Sequence, residues 1–460
     1  MRSAPLPRSL RIGYGIGSFG TGTFSTVPGL LLLYYLTNVL DVPAGVAGVA
    51  VFVPKAWDLL INPLVGRWSD RTVSRHGARR PWLLAGALTL PPLFALMFAG
   101  TSLRGVPAAL YVGGWFVLAA TAYALFEVPY KAMPAEMTDD YHEQSVLLTW
   151  RMAFLGVAIL LSGGLAPLLV NSRGGDPTIP GYRLMGLVIG AVMLAGLLGA
   201  YFGTARAPRI VRCGPDRPAA HATLRRQLAA ARGNRPFVLL ACLGCAQMLA
   251  AGIMLASAPY FASYILADTG AITTIFLALI GPMVLVMPGW VAVSRRYGKR
   301  GAMVVAAGLF LLGGACLTLT PAFGAAYAHL STMLVGVGYA GLQLLQFSML
   351  ADTLVYDELR SGANRAGVFT GLWTALETVT MALGAMVFGW LLGAAGFISS
   401  DPDKPVAQPD SAVDAILFGG TLLPVVLTAA SIALTARYDL TAQRLDDLRA
   451  HRHPVSRPAA

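Results

Sequence analysis

The sequence predicts an all-α membrane protein of twelve spanning helices arranged as two six-helix, pseudo-symmetric bundles. Three observations predict it: the composition, the alternation of apolar runs with short polar loops, and the one-sided distribution of basic residues. The 460 residues are 56% hydrophobic and 12% charged, whereas soluble domains average about 25% charged. The 51 glycines and 29 prolines also suit membrane helices, where both are commoner than in soluble ones. Twelve apolar runs lie at roughly 14–40, 43–66, 81–101, 107–133, 146–171, 182–203, 237–266, 271–293, 302–320, 325–354, 366–394 and 413–436. Each supplies the ~20 residues a spanning helix needs.

Of the 34 Lys and Arg, 27 fall in the termini and in the loops after the even-numbered runs. By the positive-inside rule both termini are expected in the cytoplasm, in a multi-pass plasma-membrane protein of the bacterial inner-membrane kind. The segment before Arg11 is polar and no small-residue cleavage site follows the first run, so no removable signal peptide is expected. A net charge of +12 is also a footprint of nucleic-acid binders. The confinement of the basic residues to one side's loops points to the lipid bilayer instead, and no nucleic-acid partner is expected.

The longest polar stretch, 204–235, carries eight arginines. It divides the chain into an N-terminal bundle, 1–203, and a C-terminal bundle, 236–437, followed by a tail, 438–460. Leu224 to Arg232 reads as a short amphipathic helix lying on the anionic inner leaflet. The two halves repeat. Ser74 to Arg80 after the second run answers Arg295 to Arg300 after the eighth, and Met133-Pro-Ala-Glu136 after the fourth answers Met349-Leu-Ala-Asp352 after the tenth. Two same-sense copies of six helices imply a pseudo-two-fold axis along the membrane normal, with a solute bound at mid-depth.

Two motifs resolve into packing. Gly15-Ile-Gly17-Ser-Phe-Gly20 matches a dinucleotide fingerprint by letter, but it sits in a membrane span without a βαβ unit; a small-residue packing face is expected. Cys242-Leu-Gly-Cys245 spaces like a redox pair but lies in an apolar helix, and again packing is expected. No catalytic constellation, metal site or cofactor is expected, and the chain is not expected to be an enzyme.

The charges inside the spans carry the chemistry. Asp58 lies in the second run, and an ionisable group at that depth costs about 2.5–3.5 kcal/mol on insertion scales. Lys55, three residues earlier, is a partner on the same face; the alternatives are an ion pair that orients the helix and a cation or proton site. Ile61 and Asn62 follow at i+3 and i+4, a poor cage for a metal ion, since hard cations want several oxygens. Desolvation favours the protonated form of a carboxylic acid, so H⁺ is favoured over Na⁺ as the coupling ion. Glu127 and Lys131 are i,i+4 neighbours in the favoured order, with Pro129 between them, and Arg151 opens the next run. With Tyr123 they suit a polyhydroxyl ligand or an anion, or form a purely structural pair. Glu377 has no basic residue within four positions, and Gln343 and Gln346 are either interhelical glue or ligand contacts. Asp70, Arg71, Arg79 and Arg80, with Asp139, Asp140, Asp357 and Glu358, are expected to form ion pairs that close the cytoplasmic side.

At these residues the chain resembles the major facilitator superfamily and, within it, the glycoside–pentoside–hexuronide:cation symporters related to melibiose permease. The resemblance runs from Tyr14-Gly-Ile-Gly17 to Tyr438-Asp-Leu-Thr441. Its most specific pieces are Trp57-Asp58 to Pro63, Asp70-Arg71 to Arg80-Pro81, Val128-Pro129-Tyr130 to Asp140, Met349 to Gly362 and Gly371-Leu-Trp373. It implies symport of a sugar with H⁺, Na⁺ or Li⁺. Asp58 matches the family's central cation-site acid, and Asn62 stands at a second acid. Glu127 and Arg151 match a sugar-binding carboxylate and arginine, and Tyr123 and Trp373 match pocket-lining positions. Thr21-Gly22 replaces a Lys-Asp pair. Thr378 replaces a lysine that usually partners the cation acids, which leaves Lys131 as the candidate substitute. Two other classes fit the same scaffold: a lysolipid or other amphipathic or anionic solute transporter, and a non-transporting sensor.

Overall fold

A computed structural model describes residues 6–75, 77–138, 140–172, 177–207, 231–362, 365–401, 406–440 and 444. Among these, eleven helices are long and apolar enough to cross a membrane. The first is composite. It consists of α1 (Arg8–Gly15), α2 (Ser18–Val27), a π-helical turn Pro28–Leu32 and α3 (Leu33–Asn38). Then follow α4 (Ala44–Arg71), α5 (Arg80–Met97), α6 (Val106–Met137), α7 (Tyr141–Asn171) and α8 (Ile179–Gly203). The second half holds α9 (Arg235–Tyr260) with a π-helical turn Phe261–Ile265, α10 (Ala271–Leu317), α11 (Thr320–Ser361), α12 (Ala366–Ala394) and α13 (Asp410–Ala436).

Helix α10 contains two of the expected spans. It breaks at Gly298, whose φ of 72° and ψ of 165° are not helical, and its two arms taken separately give the twelve crossings. Gly298 lies in Tyr297-Gly298-Lys299, the counterpart of the loop after the second span, where Gly77 also has a positive φ of 91°. A Cβ is strongly disfavoured in that region, so glycine closes both tight basic loops. The repeat shows again in the first helix of each half, since both carry a π-helical turn. Such turns are rare and cluster at functional sites.

The chain folds into two compact units whose boundaries cross the sequence halves. The first comprises residues 1–214, 252–277 and 382–420; the second comprises 215–251, 278–381 and 421–460. In the first unit α5 packs on α6 and α8, α4 on α6, and α2 on α7 and α8. Glycines set the approach of the first helix to α8: a Cβ on Gly13 would lie 2.8 Å from the Gly203 backbone, and one on Gly20 would lie 2.3 Å from the Leu197 side chain. The Gly15–Gly20 motif is thus a helix-packing face. Cys242 and Cys245 are free thiols, and Cys245 accepts a hydrogen bond from Thr380 at 3.6 Å. The amphipathic helix expected over residues 224–232 lies outside the described residues except for Ala231 and Arg232, as does nearly all of the tail.

The first unit takes up the ends of α9, α12 and α13 because polar side chains meet there. Thr37 and Tyr260 share a hydrogen bond of 2.6 Å, Tyr34 and Ser263 one of 2.9 Å, and Tyr264 donates to Asn38 at 2.5 Å. Backbone joins in, with Ser400 N donating to Thr37 O at 2.9 Å, and Arg104 pairs with Asp401 at 2.7 Å. Gly48 and Gly389 admit the close approach of α4 to α12. None of these contacts was legible as a pair in the sequence.

Candidate functional site

Asp58 sits in the middle of α4, between Pro54 and Pro63. It is 5% exposed, and its Oδ1 has no hydrogen-bond partner among the described residues. Lys55 interacts with it electrostatically, as the i,i+3 spacing predicts, but makes no close ion pair with it. The Lys55 ammonium lies instead 4.7 Å from the centre of the Phe24 ring, 5.6 Å from Phe116 and 5.7 Å from Tyr123. Phe24 stacks on Tyr123 with centroids 4.8 Å apart, and Phe116 meets Phe24 edge-on at 6.0 Å. Lys55 is thus a cation held among aromatic rings beside a carboxylate. Ile61 is buried against Val65 and Ala124, and Asn62 is exposed; neither completes an oxygen cage.

Glu127 on α6 is also 5% exposed. One oxygen, Oε1, accepts from Lys131 at 2.8 Å and from Arg151 of α7 at 3.0 Å. The other, Oε2, is buried without a partner among the described residues, as is Arg151 Nε. The Arg151 guanidinium lies 5.5 Å from the Tyr130 ring. Tyr130 is itself fixed, stacked on Tyr14 at 4.6 Å and donating to Tyr14 O at 2.6 Å. Asp58 feels both Lys131 and Glu127. Lys55, Asp58, Tyr123, Glu127, Lys131 and Arg151 therefore form one electrostatic cluster in the first unit. It holds three cations and two carboxylates, with several polar atoms left for a ligand.

The other expected solute residues lie in the second unit. Trp373 packs on Gly244, where a Cβ would come within 2.6 Å of the indole, and its Nε1 has no partner among the described residues. Glu377 interacts with Tyr339 of α11, whose hydroxyl accepts from Gln343 at 2.7 Å. Gln346, 1% exposed, donates to Gln247 of α9, and Gln247 donates to Ser431 of α13 at 2.8 Å. This contact ties α11 to α9, while Gln346 Oε1 is buried without a partner among the described residues. Gln247 had not been singled out, because a lone glutamine in an apolar run carries no spacing signal.

Of the expected gate residues, Asp70, Arg79, Arg80 and Asp357 have side-chain partners within their own units. Arg79 donates to Asp70 at 2.5 Å, to Glu136 at 2.8 Å and to Ser69 at 2.6 Å. Arg80 donates to Tyr201 O at 3.0 Å and lies 4.4 Å from that ring. Asp357 takes Arg365 in a two-pronged pair at 2.9 and 2.7 Å. Asp140 N donates to Thr138 Oγ1 at 3.1 Å, the Glu358 carbonyl accepts from Gly362, Arg71 is exposed at the end of α4, and Asp139 lies outside the described residues. Lys299 donates to Asp352 at 2.7 Å in the second unit. This is the counterpart of Arg79–Glu136, so each repeat ties its basic loop to an acid on its fourth helix.

A twelve-crossing helical protein, internally repeated, with a buried cluster of opposite charges, is a membrane transporter by architecture. The family described as MFS/sugar transport protein matches residues 13–442, and the chain belongs to that family. It is 28% identical over 451 residues to a protein of Escherichia coli K12 named "Putative glycoside/cation symporter", covering 95% of this chain and 93% of the relative. A second protein of that strain, named "Putative 2,3-dihydroxypropane-1-sulfonate exporter", is 25% identical over 423 residues, 89% and 88% of the two chains. A third, a glucuronide carrier protein homolog, is 25% identical over 407 residues, 86% and 85%. Among solved structures, a D-xylose–proton symporter superposes with a TM-score of 0.64 at 15% identity, covering 94% of this chain and 96% of that one; it shares the fold.

Proposed function

We propose that the protein is a secondary active transporter that moves a sugar or glycoside by alternating access, in symport with a cation, H⁺ in preference to Na⁺. The membrane is the bacterial inner membrane, with both termini cytoplasmic, as the distribution of basic residues supports. The observation that carries the reading is the buried cluster in which Asp58 and Glu127 each keep an unpartnered carboxylate oxygen. Intramembrane acids of this kind mark solute and proton pathways. Glu127, Lys131 and Arg151 supply hydrogen bonds for hydroxyls, Tyr123 supplies a ring face, and Asp58 supplies the group that accepts a proton.

A second reading keeps the transport and changes the solute. The excess of one positive charge over Lys55, Lys131, Arg151, Asp58 and Glu127 favours a solute bearing a carboxylate or sulfonate, because Arg binds such groups in a two-pronged geometry. Relatives named for a glucuronide and for a sulfonate support it. The test is a thermal-shift screen of the purified protein against neutral sugars, uronates, sulfonated polyols and lysolipids, since a ligand of the folded state raises its melting temperature. A shift with neutral glycosides supports the first reading, one confined to anions the second. A shift with lysolipids alone overturns both.

A further inference from the structure

The aromatic box around Lys55 is explained neither by the fold nor by solute binding. Lys55 is on α4, Phe24 on α2, and Phe116 and Tyr123 on α6, so three helices converge on one ammonium. That ammonium makes no hydrogen bond among the described residues and is held by ring faces at 4.7, 5.6 and 5.7 Å. Ring quadrupoles attract monovalent cations electrostatically, and the attraction grows when water is excluded. A lysine is a compact point charge on a flexible stem. Held in this way, it places a fixed positive charge one helical turn from Asp58.

Around Asp58 the remaining neighbours reinforce the effect. Lys131 is a second positive charge acting on the same carboxylate, and Glu127, the other acid of the cluster, already serves Lys131 and Arg151 through one oxygen. Ile61 turns a hydrocarbon surface inward. A sodium or lithium ion approaching Asp58 would meet two like charges and too few oxygens to replace its water shell. A proton needs neither coordination nor space: it forms one O–H bond on the carboxylate.

We propose that Lys55 is the resident cation of the Asp58 site and the residue that denies that site sodium and lithium. The proposal rests on reading Asp58 as the coupling acid, and it assigns the choice of ion to a tethered charge and not only to missing ligands.

The test uses the full-length protein in detergent at constant pH, with ²²Na⁺ as the probe and choline chloride holding ionic strength. Wild type is expected to show no saturable sodium binding. Lys55→Met, close in length and without charge, is expected to acquire saturable binding that unlabelled lithium displaces. Lys55→Arg, which keeps the charge, is expected to stay silent, and Lys55→Met combined with Asp58→Asn is expected to lose what Lys55→Met gained. If Lys55→Met does not elute as a monodisperse species, Lys55→Gln takes its place. Asp58-dependent sodium binding by wild type would overturn the proposal while leaving Asp58 as the coupling acid. A folded Lys55→Met or Lys55→Gln protein that still ignores sodium would overturn it as well. Sodium binding that survives in the double variant would move the site away from Asp58, and the reading beneath the proposal would fail with it.

Discussion

The two sequence repeats share a skeleton and differ in charge. Each opens on a helix with a π-helical turn, closes its basic loop on a glycine at positive φ, and ties that loop to an acid on its fourth helix. Inside the spans the likeness stops. The first repeat buries Asp58, Glu127 and Arg151. The second also carries an acid within a span, Glu377, but only partly buried; its fully buried polar series is neutral, with Gln346, Gln247 and Ser431 hydrogen-bonded one to the next. Packing can be duplicated between repeats because it depends on shape. A charge buried in a membrane is retained only where something uses it, since its insertion cost is high. The difference agrees with the proposed placement of coupling at Asp58, in the first repeat.

The strongest way to break this comparison is to remove a polar group from each interior. Glu127→Ala strands Arg151, and breaking a buried pair by removing one partner costs about 3–5 kcal/mol. Thermal unfolding should show that loss, and the solute found in the melting screen should no longer bind. Gln346→Ala leaves Gln247 short of one partner, for about 1–3 kcal/mol, with binding retained. Equal loss of binding in the two variants would erase the asymmetry. Glu127→Gln sharpens the point: the folded amount should hold while affinity falls, and unchanged affinity would return Glu127 to a purely structural role.

The paired loops offer a smaller contrast. Arg79 is buried, but its carboxylate partners Asp70 and Glu136 are 45% and 36% accessible, so Arg79→Ala should cost about 1–3 kcal/mol, the loss of hydrogen bonds to charged groups. Lys299 is more exposed, with 37% of its side chain accessible, and Lys299→Ala should cost about 0–1 kcal/mol. Denaturation midpoints of the two variants check both figures. Smaller still is the difference expected between Gly77→Ala and Gly298→Ala. Both place a Cβ at positive φ, and each should lose about 1–3 kcal/mol; a loss at one glycine alone would show that the loops are not equivalent.

Much of this was legible in the sequence because lipid imposes strict rules. A span needs a long apolar run, so hydropathy located the helices, and the basic loops marked the repeat. The Glu127–Lys131 pair followed from i,i+4 spacing, and Arg151 was expected close by, although not bound to the same oxygen as Lys131. The Lys55 box was not legible. Phe24 and Phe116 are ordinary apolar residues in distant helices, and nothing in their spacing says that they face a lysine. The same holds for Tyr34, Thr37 and Asn38, whose partners Ser263, Tyr260 and Tyr264 come from more than two hundred positions away. Loop arginines announced themselves by charge, but their partners, Glu136 for Arg79 and Arg365 for Asp357, depend on how short loops turn.

The central claim is that Asp58 couples solute movement to protons. The direct measurement is uptake, in proteoliposomes, of the solute that raises the melting temperature, driven in separate experiments by an imposed pH gradient and by an imposed sodium gradient. Wild type should accumulate solute against its gradient when driven by protons and not by sodium, and Asp58→Asn should lose accumulation while still exchanging solute across the membrane. Accumulation by Asp58→Asn, or a wild-type protein that follows the sodium gradient and ignores the proton gradient, would contradict the account.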